Sequence, residues 1–181
     1  VPVKSDRYRP KVKPDPVISV ADIMVGMNGL LRGPLADADA VLVHGDTITC
    51  MAAALSAHLN LKPVCHVEAG LRTFSREPFP EQTDTRCADA CSDVFFAATE
   101  TNRTNLINEG FPADRIHVVG NTVVDAANWA KEARKGSREY FEKMGVDFTR
   151  PLVYVSCHRR ENTMHKQRFE SIVDAIARLA S

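Results

Sequence analysis

Short apolar runs alternate with helix-forming stretches along most of this chain, and nearly every run ends in a glycine or a polar residue. The runs are Ala40–His44, Pro63–Val67, Asp93–Ala97, Arg115–Val119 and Pro151–Ser156. Each is strand-length and rich in Val, Ile or Phe, the signature of a buried parallel strand. Between them lie helical stretches. Ser19 is placed to cap a helix to about Leu35, with Ile23, Met27, Leu30 and Leu31 on one face. Thr47–Asn60 is alanine-rich, Glu81–Cys91 is helical, Thr99 opens a helix that Gly110 stops, and Gly120-Asn121-Thr122 leads into another containing Trp129. The last helix carries Phe169, Ile172, Val173, Ile176 and Leu179 at helical spacing. Strand–helix alternation demands right-handed crossovers and predicts an α/β fold, a Rossmann-like parallel sheet covered on both faces. Four strands precede residue 135 and one follows it. The expected organisation is a polar lead-in (1–16), a partial Rossmann-like domain (17–135), a charged connection (136–150) and the opening of a second such domain (151–181).

Charge narrows the partners. Lys+Arg and Asp+Glu both number 23, so the basic excess of a nucleic-acid binder is absent and no nucleic-acid partner is expected. No apolar run approaches the roughly 20 residues of a membrane span, and Val1–Asp15 lacks the apolar stretch of a signal peptide. The five cysteines are odd in number and scattered, which fits free thiols in the cytoplasm. Cys87 and Cys91 stand four apart on a helix, but nothing with zinc-like spacing accompanies them, so no metal is expected. No Gly-x-Gly-x-x-Gly follows a strand, which argues against a nicotinamide cofactor.

Open parallel sheets bind ligands outside the carboxyl ends of their strands. Those ends here read His44-Gly45-Asp46-Thr47, His66-Val67-Glu68-Ala69-Gly70-Leu71-Arg72, Gly120-Asn121-Thr122 and His158-Arg159-Arg160-Glu161. Asp46-Thr47 doubles as a helix cap. Glu68 follows a strand directly and has no capping role, which marks it as a ligand-facing group or a base. Glu81 starts a helix, where the dipole favours a carboxylate. His158 with Arg159 and Arg160 suits a diphosphate, since the guanidinium fork matches phosphate oxygens, although a solvated Arg–Glu161 pair has the same sequence. Asn121 and Thr122 open a helix whose free amides suit an anion. His58, His117 and His165 have no such setting.

These motifs, in order, resemble the non-hydrolysing UDP-N-acetylglucosamine 2-epimerases. The resemblance rests on Val41–Thr47, His66–Thr73, Pro80-Glu81, Thr99-Glu100, Gly120–Asp125 and His158–Asn162, and runs from about residue 38 to 181. It implies part of a two-domain fold similar to glycosyltransferase B, with a UDP-sugar in the cleft, no metal or cofactor, and a homodimer. It implies interconversion of UDP-GlcNAc and UDP-ManNAc, by elimination of UDP across C1 and C2 and its re-addition with C2 inverted. Asp46, Glu68 and Glu81 match the family's acid/base carboxylates, and His158 the group facing the diphosphate. Arg72, Asn121, Thr122, Arg159, Arg160 and Glu161 become candidate substrate contacts, Arg72 alternatively a brace for its loop. A hydrolysing relative or a non-catalytic nucleotide-sugar-binding module shares much of this pattern. A glycosyltransferase of the same architecture would need an acceptor site, for which no residues stand out.

Three departures bear on the reading. The family's opening strand, with its Gly-Thr-Arg-Pro-Glu loop, has no counterpart before Asp46. The segments that hold uridine would follow Ser181. The family's Arg after Pro-Glu falls on Thr85, and Arg86 lies about 140° round the helix from Glu81, too far to substitute. The expectation is therefore a fragment or truncated relative with little or no epimerase activity alone, because positioning supplies most of the catalysis.

Overall fold

The computed structural model describes residues 16–133 and 137–180. Of the expected polar lead-in, residues 1–15 lie outside this description. The chain divides into two compact units, Val1–Gly120 and Asn121–Ser181, a division ahead of the expected connection at 136–150.

The first unit runs α1 (Pro16–Leu31), β1 (Val41–His44), α2 (Ile48–Leu59), β2 (Val64–Ala69), α3 (Glu81–Ala90), β3 (Val94–Ala97), α4 (Glu100–Asn108), a 3-10 turn at Ala113–Arg115, and β4 (Ile116–Val118). Pro16 opens α1, so Ser19 falls inside the helix rather than capping it. Proline's fixed φ and missing N–H suit the first helical turn. Thr47 caps α2 by accepting from the Cys50 amide, and Thr99 caps α4 by accepting from the Asn102 amide. All four strands are parallel, in the spatial order β1-β2-β3-β4.

That order decides which face is covered. Right-handed crossovers that always step in one direction place every connecting helix on the same side of the sheet. The register aligns Val43, His66, Phe95 and Ile116 in one row, and all four are buried. One cluster under that face joins Val43 and Val64 to Met27, Leu31, Ala53, Ala54, Ala57 and Ala88. A second joins Ala69, Phe95, Ala97 and Ile116 to Leu106. The opposite face carries Leu42, 67% exposed, and the ring contact of Phe96 with His117. The expectation of cover on both faces is thus met on one face only within this unit. The cover changes sides only where strand order reverses, and here it never does.

The second unit contains α5 (Thr122–Ala133), α6 (Ser137–Lys143), α7 (Arg160–Thr163) and α8 (Lys166–Ala180). Residues 151–159 form no strand, contrary to the reading of Pro151–Ser156, and Leu152, Val153 and Tyr154 are exposed. A strand exists only as a ladder with a neighbour, and no described residue of this unit is in one.

Candidate active site

The carboxyl ends of β1 and β2 lie side by side, since Val43 pairs with His66 and His44 with Val67. β1 exits through Gly45, whose amide donates to the Val67 carbonyl at 3.0 Å. Asp46 follows immediately, half-buried, ahead of α2.

Glu68 occupies a bulge. The register between β2 and β3 slips between Val67 and Ala69, and Glu68 has φ +69°. Left-handed backbone is uncommon outside glycine and concentrates at functional sites. The bulge turns the Glu68 carboxylate toward β1, where Oε1 lies 3.4 Å from His44 Nε2. Gly45 is also close by, since a Cβ there would lie 3.7 Å from Glu68 Oε2.

Glu81 and Asp84 sit in the first turn of α3, which follows β2. The Asp84 carboxyl is pushed up to about 6, by burial first, then by Glu81, then by Asp46. The charges of Asp46, ahead of α2, and Glu81, in α3, therefore both act on one buried carboxyl. Asp46 and Glu68 thus follow the adjoining ends of β1 and β2, and Glu81 stands in the first turn of α3.

A buried network that sequence reasoning missed holds these ends in place. His66 Nδ1 lies 2.6 Å from Asp89 Oδ1, and both side chains are fully buried. His66 Nε2 lies 2.9 Å from the Gly45 carbonyl oxygen. Both ring nitrogens face acceptors, an arrangement only the imidazolium satisfies with two donated hydrogens. Burial works against that charge, but the bonds to Asp89, Cys50 and Gly45 and the Asp89 charge prevail, raising His66 to about 10. Asp89 Oδ2 accepts from the Gly70 amide at 3.2 Å and from Arg72 at 2.8 Å. One ion pair thus ties down the residue before Asp46 and the loop after Glu68.

The Arg72 side chain is 1% exposed. Its Nε and Nη2 donate to the two oxygens of Glu109 at 2.7 and 2.6 Å, and Nη1 donates to the Leu71 carbonyl. Burial works against the Arg72 charge, but the hydrogen bonds to Glu109 and Asp89 and their charges prevail and raise its affinity for the proton, and the same bond draws the Glu109 carboxyl down. These contacts match the loop-bracing alternative for Arg72. α3 carries no apolar residue larger than cysteine, so the residues it buries are largely polar, and of these Gln82 and Asp89 find polar partners.

The remaining candidates belong to the second unit. Asn121 Oδ1 accepts from the Val123 amide at 2.8 Å, a local capping bond, and Thr122 is exposed in the first turn of α5. His158 is exposed, with Nδ1 3.5 Å from Ser156 Oγ. The Arg159 carbonyl accepts from Asn162 and Thr163. Arg160 and Glu161 open α7, and their side chains lie outside the description. All five cysteines are free thiols. Among the described residues no three His, Cys, Asp or Glu side chains are placed to hold a metal, and no helix is long and apolar enough to cross a membrane.

A family profile described as UDP-N-acetylglucosamine 2-epimerase covers residues 16–181. The UDP-N-acetylglucosamine 2-epimerase of Salmonella typhimurium is 38% identical over 149 residues, 79% of this chain and 39% of that protein. A crystal structure of UDP-GlcNAc 2-epimerase from Neisseria meningitidis bound to UDP-GlcNAc superposes with a TM-score of 0.83 at 33% identity, covering 94% of this chain and 47% of the other. The Methanocaldococcus jannaschii UDP-GlcNAc 2-epimerase, in complex with UDP-GlcNAc and UDP, gives 0.76 at 31% identity with the same coverage. The chain spans about two fifths of the length of the curated relatives it matches. Its α/β architecture is that of part of the glycosyltransferase-B-like fold of these enzymes. On the extent of the profile match and the shared fold, the chain belongs to the UDP-N-acetylglucosamine 2-epimerase family.

Proposed function

We propose that this chain carries the acid/base half of a non-hydrolysing UDP-GlcNAc 2-epimerase site, interconverting UDP-GlcNAc and UDP-ManNAc. The observation that supports this most is the adjoining of the β1 and β2 ends, which brings Asp46 beside the strand that delivers Glu68 on a left-handed bulge. The C2 hydrogen of a sugar is poorly acidic, so its removal needs a positioned base and its return on the other face needs an acid. Carboxylates from separate elements can flank one ring and divide those roles.

In this reading UDP leaves C1 as the C2 proton is taken, giving a 2-acetamidoglucal. UDP then adds back to C1 as a proton returns to the opposite face of C2. His158, Arg159 and Arg160, with Glu161 beside them, stabilise the departing diphosphate. Asn121 and Thr122 offer helix N-terminal amides to an anion. Arg72 acts by bracing the loop after Glu68. The domain limits 17–135, 136–150 and 151–181 and a homodimer belong to the same proposal. Light scattering checks the dimer. The free thiols support a reducing compartment such as the cytoplasm.

Because the chain spans about two fifths of its relatives, the 181 residues alone are expected to give little or no net epimerisation. Robust UDP-ManNAc formation by the chain alone, followed by NMR, would contradict that. The test of the chemistry is a chimera in which residues 16–181 replace their counterpart in the Neisseria meningitidis relative. Incubated with UDP-GlcNAc in D2O, it should place deuterium at C2, and Glu68→Gln should slow that by at least 100-fold, as expected for loss of an acid/base group. Release of free ManNAc with UDP instead of UDP-ManNAc would favour the hydrolysing reaction.

A further inference from the structure

Proton exchange at C2 by two carboxyls leaves them out of balance. The group that takes the C2 proton ends the turnover protonated, and the group that returns a proton ends it ionised. The pair is then set for the reverse direction only. Repeated turnover in one direction needs a path by which each carboxyl trades its proton with water. Proton transfer needs hydrogen-bond reach, so a side chain on that path has to touch the carboxylate and the solvent together.

One side chain does both at Glu68. His44 is the last residue of β1, the outermost strand of the sheet. Its Nε2 lies 3.4 Å from Glu68 Oε1, and its side chain is 55% exposed against 23% for that of Glu68. The contact depends on the bulge. His44 pairs with Val67, and side chains alternate along a regular strand, so an unbulged Glu68 would point to the opposite face of the sheet. The left-handed backbone at Glu68, φ +69°, turns it back to the His44 side. His66 cannot serve in its place, because it is fully buried and its ring nitrogens face Asp89 and the Gly45 carbonyl. A sugar seated on the strand ends takes the exposed side of Glu68 from water, which leaves the imidazole as the wet end of the pair.

We propose that His44 is a further positioning residue of the acid/base group, one that holds Glu68 toward β1 and relays protons between Glu68 and solvent. A neutral imidazole has a donor on one nitrogen and an acceptor on the other, and imidazoles exchange protons near neutrality. After Glu68 has taken the C2 proton, its Oε1–H bond breaks and an N–H bond forms at His44 Nε2. Glu68 is a carboxylate again, and the ring is an imidazolium. The imidazolium gives its Nδ1 proton to water, and the ring regains its first tautomer by exchange with solvent. Run backwards, the same steps reload Glu68 when it serves as the acid. Atoms and charge balance with water as the only co-reactant. The contact is a property of this chain, whereas its use in turnover rests on the epimerase reading above.

Histidine 15N NMR of the intact chain tests the contact. Glu68→Gln, which removes the charge and keeps the shape, should move the His44 Nε2 resonance and leave those of His58 and His117 in place. An unmoved His44 resonance overturns the proposal whatever the reaction. The relay is tested in the chimera carrying residues 16–181, supplied with UDP-GlcNAc in D2O. His44→Ala should give a first-turnover burst of UDP-ManNAc and then turn over at least about 10-fold more slowly than the parent chimera, as expected for loss of a proton-transfer group. Imidazole added to the buffer should restore most of the lost rate, which a purely structural role would not allow. Undiminished turnover in His44→Ala, or slow turnover that imidazole leaves unchanged, overturns the relay while the epimerase reading stands. A parent chimera that places no deuterium at C2 removes the epimerase reading and the relay with it.

Discussion

His66 and Asp89 put an ion pair at the centre of the first unit, and their charges hold two loops at once. His66 is held near 10 against an ordinary value of 6.5. Folding therefore takes up a proton across that window. The stabilisation is complete below about pH 6.5 and fades as pH rises toward 10. Urea denaturation should show wild-type stability falling between those limits. Asp89→Asn should lose about 3–5 kcal/mol at neutral pH, the usual cost of stranding one buried charge, and its stability should vary less with pH. Asp84 has the opposite sign. Its value rises from 3.8 to about 6, so its ionised form opposes folding, with no penalty below the lower value and the full penalty above the upper one. Asp84→Asn should therefore stabilise the chain at pH 7.5, by on the order of 2 kcal/mol, and leave it unchanged at pH 3.5. A residue whose removal stabilises the fold is the mark of a group kept for chemistry.

At the scale of elements, the bulge in β2 and the loop after it carry the most information. Gly70 has φ +78°, and a Cβ there would collide with the carbonyl oxygen of Asn102. The side-chain amides of Asn102 and Asn105 both donate to the Gly70 carbonyl, closing α4 onto the loop. Gly70→Ala should cost at least 2 kcal/mol through strain and overlap together, measurable by chemical denaturation, and should displace Glu68. Strands β1 to β4 and helices α2 to α4 were legible within a residue or two, because apolar runs, Thr47, Thr99 and Gly110 all mark their own boundaries. The polar inward face of α3 was not legible, because nothing in the sequence sets Gln82, Asp84, Thr85 and Asp89 apart from solvent-facing polar residues until the loop and strand that Gln82 and Asp89 bond to are in place. Glu68 was legible as an unexplained carboxylate but not as a bulge, since a left-handed glutamate has no sequence signature. The strand read at Pro151–Ser156 failed for a related reason: apolar composition signals burial, and burial needs a neighbour.

At the largest scale, monotonic strand order explains the one-sided cover of the sheet in the first unit and the side-by-side ends of β1 and β2. Crossovers that step in one direction bring α2 and α3 in sequence along the same face. Their N-termini and the ends of β1 and β2 therefore meet, which is how Asp46 and Glu81 come to act on one buried carboxyl. His158 and its arginines lie in the second unit and enter the account through family membership. The central claim is that the strand-end carboxylates move the proton at sugar C2. The direct measurement is deuterium incorporation at C2 of UDP-GlcNAc in D2O by the chimera carrying residues 16–181, with Asp46→Asn, Glu68→Gln and Glu81→Gln beside it. The account predicts incorporation by the parent chimera and a loss of about 100-fold or more in each variant. Incorporation at an undiminished rate in Glu68→Gln would contradict it.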